Sequence, residues 1–66
     1  LRSEPHGKGT TETVYVLKGA VRINVGGAEH DLMAGDSIFF RADVAHEYEN
    51  KSSHEARLLD LIAYER

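Results

Sequence analysis

The chain has 66 residues, no cysteine, and a formal charge of −3 from eleven acidic and eight basic residues. A chain this short is one small domain that buries only about 60% of its unfolded surface, and no disulfide can support its marginal core. The acidic balance argues against direct nucleic-acid binding, and no apolar run approaches the roughly 20 residues of a membrane span. No signal-peptide pattern opens the chain, so we expect a cytoplasmic protein.

The N-terminal part predicts a polar lead-in followed by a strand. Pro5 and two glycines oppose a regular helix within the first nine residues. Residues 10–17 are rich in β-branched and aromatic side chains, which favour a strand. Alternation along that strand puts Glu12 on the same face as Val14 and Val16, so a buried valine face would carry Glu12 inward.

A hairpin is predicted in the middle of the chain. Residues 21–25 alternate between apolar and polar side chains, as a half-buried strand does. Gly26 and Gly27 can both adopt positive φ, which suits a two-residue turn, and residues 28–33 return as the partner strand. After a further turn, residues 37–40 form a short apolar strand.

Residues 35–50 carry the strongest indication of a binding site. A polar corner at residues 41–43 leads to His46. Tyr48 and Asn50 lie two and four positions later, on the same face of an extended strand. An imidazole aimed to one side by a tight corner is typical of a ligand site.

The last element begins at Glu55 or Ala56 and ends at Tyr64. Residues 56–59 also have good helix propensity, but a strand is favoured because every neighbouring segment has a period of two. Short strands with turn signals every eight to twelve residues predict an all-β barrel or sandwich. A small barrel leaves room for a few side chains or one small ligand.

His6, Glu12 and Gly19 have the spacing H-x-H-x3-4-E-x6-G, with Lys8 at the position of the second histidine. This pattern resembles the first motif of the cupin superfamily, in its small conserved-barrel form.

The second motif resembles the family's G-x5-P-x-G-x2-H-x3-N. Gly35, His46 and Asn50 keep all of its spacings, while Arg41 and Asp43 replace the proline and the second glycine. The resemblance covers residues 5–64 and implies an all-β, jelly-roll-like cupin barrel.

The resemblance also implies a metal site. Carried over position by position, His6, Glu12 and His46 would hold one divalent ion, either Zn, Ni, Mn or Fe, with open positions for water or ligand. The alternative is a metal-free polar interior in which His46 bonds to Tyr48 or Glu12.

Short phrases around Pro5, at residues 9–12 and at residues 40–50 are similar to the C-terminal cupin half of bacterial helix-turn-helix regulators. This implies that residues 1–66 are the single, effector-sensing cupin domain of a longer chain that binds DNA through another domain. Two alternatives remain: a small metal-dependent enzyme, such as a dioxygenase or isomerase, and a structural dimerisation barrel.

Ligand-binding candidates are Lys8, Arg41 and Tyr48. The two cations would lie near the barrel mouth and meet an anionic ligand, although a solvated loop lysine and a surface arginine are the simpler interpretations. His30 and His54 are predicted to be solvent-exposed.

A homodimer is also expected. Residues 13–17 and 58–64 carry apolar side chains on both faces, which is more than one small barrel interior can absorb.

Overall fold

The computed structural model describes residues 2–3 and 7–64. These residues form seven β-strands and no helix, so none of them belongs to a helix that could span a membrane. The strands are β1 (Arg2–Ser3), β2 (Thr11–Lys18), β3 (Ala20–Val25), β4 (Ala28–Met33), β5 (Ser37–Arg41), β6 (His46–Asn50) and β7 (Arg57–Ala63). The all-β prediction is confirmed, and the last element is a strand rather than a helix.

The strands form two antiparallel sheets that pack into a small barrel. One sheet has the order β1-β6-β3-β4, and the other has the order β5-β2-β7. The central strand β2 pairs with β5 from Thr11 to Tyr15 and with β7 from Thr11 to Lys18. Side chains on one face of β2 therefore meet those on one face of β3 and β6 across the interior.

The apolar core is small and lies between the sheets. In β3, Val21 and Ile23 are buried and Arg22 and Asn24 are less buried, as the alternating pattern predicts. In the described part of the chain, six apolar side chains are buried: Val14, Val16, Val21, Ile23, Phe40 and Ala42.

The predicted glycine hairpin joins β3 to β4. Gly26 and Gly27 have φ values of 56° and 90°, a region in which a side chain would be strained. The Gly27 N–H donates to the Asn24 side-chain oxygen over 3.0 Å, and Val25 lies opposite Ala28. This tight turn sets the register of the two strands.

The lead-in differs from its prediction because Arg2 and Ser3 form a short strand that pairs with Glu47 and His46 of β6. Two polar residues are too few to show any periodicity, so only the partner strand reveals them. The last strand begins at Arg57, one or two residues later than predicted.

Candidate functional site

Among the described residues, two ionisable side chains are buried where the sheets face each other. Glu12 enters from β2 and His46 from the first position of β6, and each is 2% exposed. The Nε2 atom of His46 lies 2.9 Å from Oε2 of Glu12. Because two lone pairs at this distance would repel, a proton or a cation must lie between them, and it offsets the cost of burying both groups.

The other ring nitrogen of His46 fixes the direction of the imidazole. Its Nδ1 atom lies 2.9 Å from the Val44 carbonyl, which can only accept, so Nδ1 carries the hydrogen and donates it. The Phe40 ring contacts the imidazole in an edge arrangement at 5.3 Å between centroids. Nε2 is thereby directed at Glu12, the arrangement that metal-ligating histidines use.

The corner that delivers His46 is anchored by backbone hydrogen bonds at both ends. The Ala42 N–H donates to the Thr10 carbonyl over 2.8 Å, and the Gly26 N–H donates to the Ala45 carbonyl over 3.0 Å. The corner is thus fixed to the start of β2 and to the β3–β4 turn, which leaves the imidazole little freedom.

Tyr48 is the third member of this network. Its hydroxyl donates to Oε1 of Glu12 over 2.9 Å, and its ring lies 5.9 Å from that of His46. Burial, together with this hydrogen bond and the nearby Glu12 charge, raises the pKa of Tyr48 above its usual value. The hydroxyl therefore stays protonated, and it donates its hydrogen to Glu12.

Asp60 is a fourth member that the sequence analysis missed. It lies opposite Val14 in the β2–β7 ladder, so it points to the same inner face. Burial raises the pKa of Asp60 to about 6, and a hydrogen bond with Glu12 and the charge of Glu12 add to this, although solvent still reaches the residue. The sequence signal that could have identified Asp60 is a charged residue between Leu58 and Ile62 on an otherwise apolar face.

A cavity of about 360 Å³ opens beside this network. Tyr48 and Asp60 line it, and both hydrogen-bond with Glu12, so the network forms one polar wall. The other lining residues are Val21, Glu49, Asn50, Ala56 and Leu58. A second cavity, of about 290 Å³, borders His46 at the β3–β4 turn.

The two cations predicted to bind ligand lie elsewhere. Lys8 is exposed in the loop before β2, and Arg41 donates to Asp43 over 3.0 Å at the corner after β5. That hydrogen bond lowers the pKa of Asp43. Neither Lys8 nor Arg41 lines one of the two cavities found in the described part of the chain.

Asn50 lies beyond the network, where it shapes the loop that follows β6. Its amide donates to the His54 carbonyl, and its oxygen accepts from the Ser52 N–H. The side chains of His30 and His54 are exposed, which confirms their predicted surface positions.

Two of the three predicted metal ligands lie among the described residues. Within residues 2–3 and 7–64, no group of three or more His, Cys, Asp or Glu side chains could hold a metal ion. Glu12 and His46 are brought together as predicted, while His6 lies outside the described residues. The contact between His46 and Glu12 also occurs in the metal-free alternative, so the metal assignment stays a prediction.

Comparison with known proteins finds a matching family and a similar transcriptional regulator. Residues 2–62 match the cupin domain family. The chain is 38% identical over 64 residues to the HTH-type transcriptional regulator SutR of Escherichia coli, covering 97% of this chain and 36% of that protein. The chain thus spans about a third of that relative's length.

Two solved structures have the same fold. The cupin domain of an XRE family transcriptional regulator from Enterobacter cloacae has a TM-score of 0.95 and 32% identity, covering 100% of this chain and 70% of that one. An HTH_3 family transcriptional regulator from Vibrio cholerae has a TM-score of 0.91 and 31% identity, covering 98% of this chain and 36% of that one. The protein therefore belongs to the cupin domain family.

Proposed function

We propose that this chain is the effector-binding cupin domain of a cytoplasmic helix-turn-helix transcriptional regulator. The observation that carries the proposal is the buried network of Glu12, His46 and Tyr48 beside an open cavity. Its similarity to three proteins named as transcriptional regulators supplies the regulatory context. DNA binding would belong to another domain, because this chain is acidic and its described residues form no helix.

The network suits a sensor because it connects the two sheets. Glu12 on β2 contacts His46 and Tyr48 on β6 of the opposite sheet, and Asp60 on β7 of its own sheet. A ligand that changes the hydrogen bonds of Tyr48 or Asp60 changes the contacts of Glu12 and so the packing of one sheet on the other. A partner domain could read that change in packing.

We further propose that a divalent metal ion binds between Glu12 and His46, with His6 as an additional ligand. The donors fit: a carboxylate oxygen and an imidazole nitrogen face each other, and the second nitrogen of the ring is held by the Val44 carbonyl. A bound ion would act as a Lewis acid and give an effector a coordination position. Binding would also displace the proton that otherwise lies between the two side chains.

A homodimer is the proposed assembly. On the outer side of the three-stranded sheet, Thr13 is flanked by Phe39 and Leu61, and Leu59 lies next to Tyr15. With Leu17, these apolar side chains form a patch here called the outer apolar face; all five are at least 40% exposed: Tyr15, Leu17, Phe39, Leu59 and Leu61. A second copy covering this face would supply the burial that the small core lacks.

Metal content tests the site. Protein purified without chelator, and then titrated with Zn(II), is expected to bind about one ion, whereas His46→Ala loses saturable binding. His30→Ala and His54→Ala remove exposed imidazoles and should leave binding unchanged, so they control for nonspecific uptake. Saturable binding that is the same in His46→Ala, or no stoichiometric binding in the wild type, would remove the metal from the proposal.

The regulator context is tested by the gene that encodes this chain. The encoded protein is expected to contain a helix-turn-helix domain, and its binding to operator DNA should require that domain. If the 66-residue chain retards duplex DNA by itself, or if the full protein contains no DNA-binding domain, the proposed function is wrong.

A further inference from the structure

We infer that the cavity beside Asp60 binds a small organic ammonium ion that carries a short apolar chain. The inference rests on the proposed function, because it names the class of effector for that same site. This ligand class is opposite in charge to the anionic ligand that Lys8 and Arg41 predict.

Tyr48 and Asp60 form a wall of the cavity that carries hydrogen-bond acceptors. The Tyr48 hydroxyl donates its only hydrogen to Glu12, so it presents only lone pairs to the cavity. Asp60 contributes a carboxyl group to the same wall, and Glu12, which accepts from Tyr48, adds a second carboxyl group nearby. This wall therefore offers acceptors and negative charge, which a ligand must match with donors and positive charge.

The remaining polar residues around the cavity do not change this balance. Asn50 donates one of its two amide hydrogens to the His54 carbonyl and accepts from the Ser52 N–H, so it leaves at most one neutral donor and no charge. Glu49 accepts from the Lys51 ammonium over 2.7 Å. The lining contains no Lys, Arg or His side chain, so a carboxylate or phosphate would meet like charge there without a cation to offset it.

The opposite part of the lining is apolar and suits a hydrocarbon chain. Val21, Ala56 and Leu58 contribute these contacts. The volume of about 360 Å³ is at the lower end of the roughly 300–1,000 Å³ typical of small-molecule pockets. An ammonium group at Asp60 with its short alkyl chain against these three residues fits both the polarity and the size.

Three probes of equal chain length separate charge from apolar contact: n-butylammonium chloride, 1-butanol and sodium butyrate. Titrations of the ¹⁵N-labelled 66-residue protein are followed by amide shifts at Tyr48 and Asp60. We expect saturable shifts with butylammonium, weaker binding of butanol and no binding of butyrate. Equal or tighter binding of butanol or butyrate, or no binding of butylammonium, overturns the inference.

Matched variants assign the binding to one carboxylate. Asp60→Asn should weaken butylammonium binding by about tenfold or more, as expected when a charge-assisted hydrogen bond is lost. Glu29→Gln removes an exposed carboxylate on β4 and should leave the affinity unchanged. An equal affinity in Asp60→Asn, with dispersed amide signals showing that the variant is folded, also overturns the inference.

Zn(II) uptake is measured separately in the same preparations. Uptake that depends on His46, in a protein that does not bind butylammonium, leaves the proposed metal site standing and removes only the ligand class. Loss of both would remove the proposed function of the site as well.

Discussion

Strands β2 and β7 are hydrogen-bonded neighbours with opposite surroundings. On the inner face of β2, Glu12, Val14 and Val16 are each no more than 2% exposed. Every residue of β7 is exposed, including Asp60, which lies directly opposite Val14. β2 has a strand on each side and the second sheet above it, whereas β7 ends its sheet and borders the cavity.

This difference separates the residue that holds the barrel together from the residue proposed to bind a ligand. The Glu12 carboxylate on β2 is enclosed and contacts His46, Tyr48 and Asp60, so the stability of the folded state depends on it. The carboxylate on β7 is reached by solvent and hydrogen-bonds with Glu12 alone among the described contacts, so it is available to a ligand. Substitutions on the two strands should therefore have very different consequences.

The largest expected effect comes from removing the enclosed carboxylate. Glu12→Ala leaves the buried His46 ring and the Tyr48 hydroxyl without their shared partner, which should lower the free energy of unfolding by about 3–5 kcal/mol. Asp60→Ala should change it by about 1 kcal/mol or less, because the group is open to solvent. Urea unfolding of metal-free protein, followed by circular dichroism, measures both values.

Glu12→Gln sharpens this prediction because its amide oxygen can still accept from Tyr48 and its NH₂ group can donate to Nε2 of His46. It should recover part of the loss seen in Glu12→Ala. Equal destabilisation by Glu12→Ala and Asp60→Ala would show that β2 and β7 do not differ as their exposure indicates.

A second effect concerns the outer apolar face, which the proposed dimer would cover. Leu61→Asp places a charge beside Thr13 in the proposed dimer contact and should raise the dimer dissociation constant by about 100-fold or more, because a charge would be buried without a partner. Sedimentation equilibrium measures this constant, and His30→Asp on β4 is the control. A wild-type protein that is monomeric at tens of micromolar contradicts the dimer.

The sequence predicted β2 well because Glu12, Val14 and Val16 alternate regularly with residues of the outer face. The second sheet covers the inner face, so burial follows the same pattern. The sequence also placed Glu12 and His46 in one site, since the two motifs lie on strands that the cupin arrangement brings together. The first prediction needed only periodicity, whereas the second needed the motif spacing together with the family resemblance.

What could not be predicted depends on contacts between distant elements. The two residues of β1 acquire a strand conformation from β6, and nothing in their own composition marks it. The hydrogen bond from Arg41 to Asp43, two positions later, is also a contact that motif spacing does not reveal. Asp60 was passed over because its role depends on the register between β2 and β7.

The smallest expected effect is a pH dependence that comes from Asp60. Its pKa is about 6 in the folded protein, above the ordinary aspartate value of 3.8, so the folded state binds this proton more tightly than the unfolded state does. The contribution of Asp60 to stability therefore falls as pH rises from about 4 to about 6, and its full penalty applies above pH 6. Metal-free Asp60→Asn should accordingly be more stable than wild type at pH 7, with a difference that shrinks toward pH 4.

Asp31 provides a control of opposite sign for this measurement. The hydrogen bond from Arg22, over 2.8 Å, lowers the pKa of Asp31, so its stabilising contribution is present at neutral pH and is lost on acidification. Asp31→Asn should thus be slightly less stable than wild type at pH 7, with a difference that fades in acid. Thermal unfolding of both variants from about pH 2 to about pH 8 tests the two signs together, because Asp31 loses its contribution only below its ordinary pKa of 3.8. If Asp60→Asn gains stability on acidification relative to wild type, the pKa of Asp60 is not raised in the folded protein.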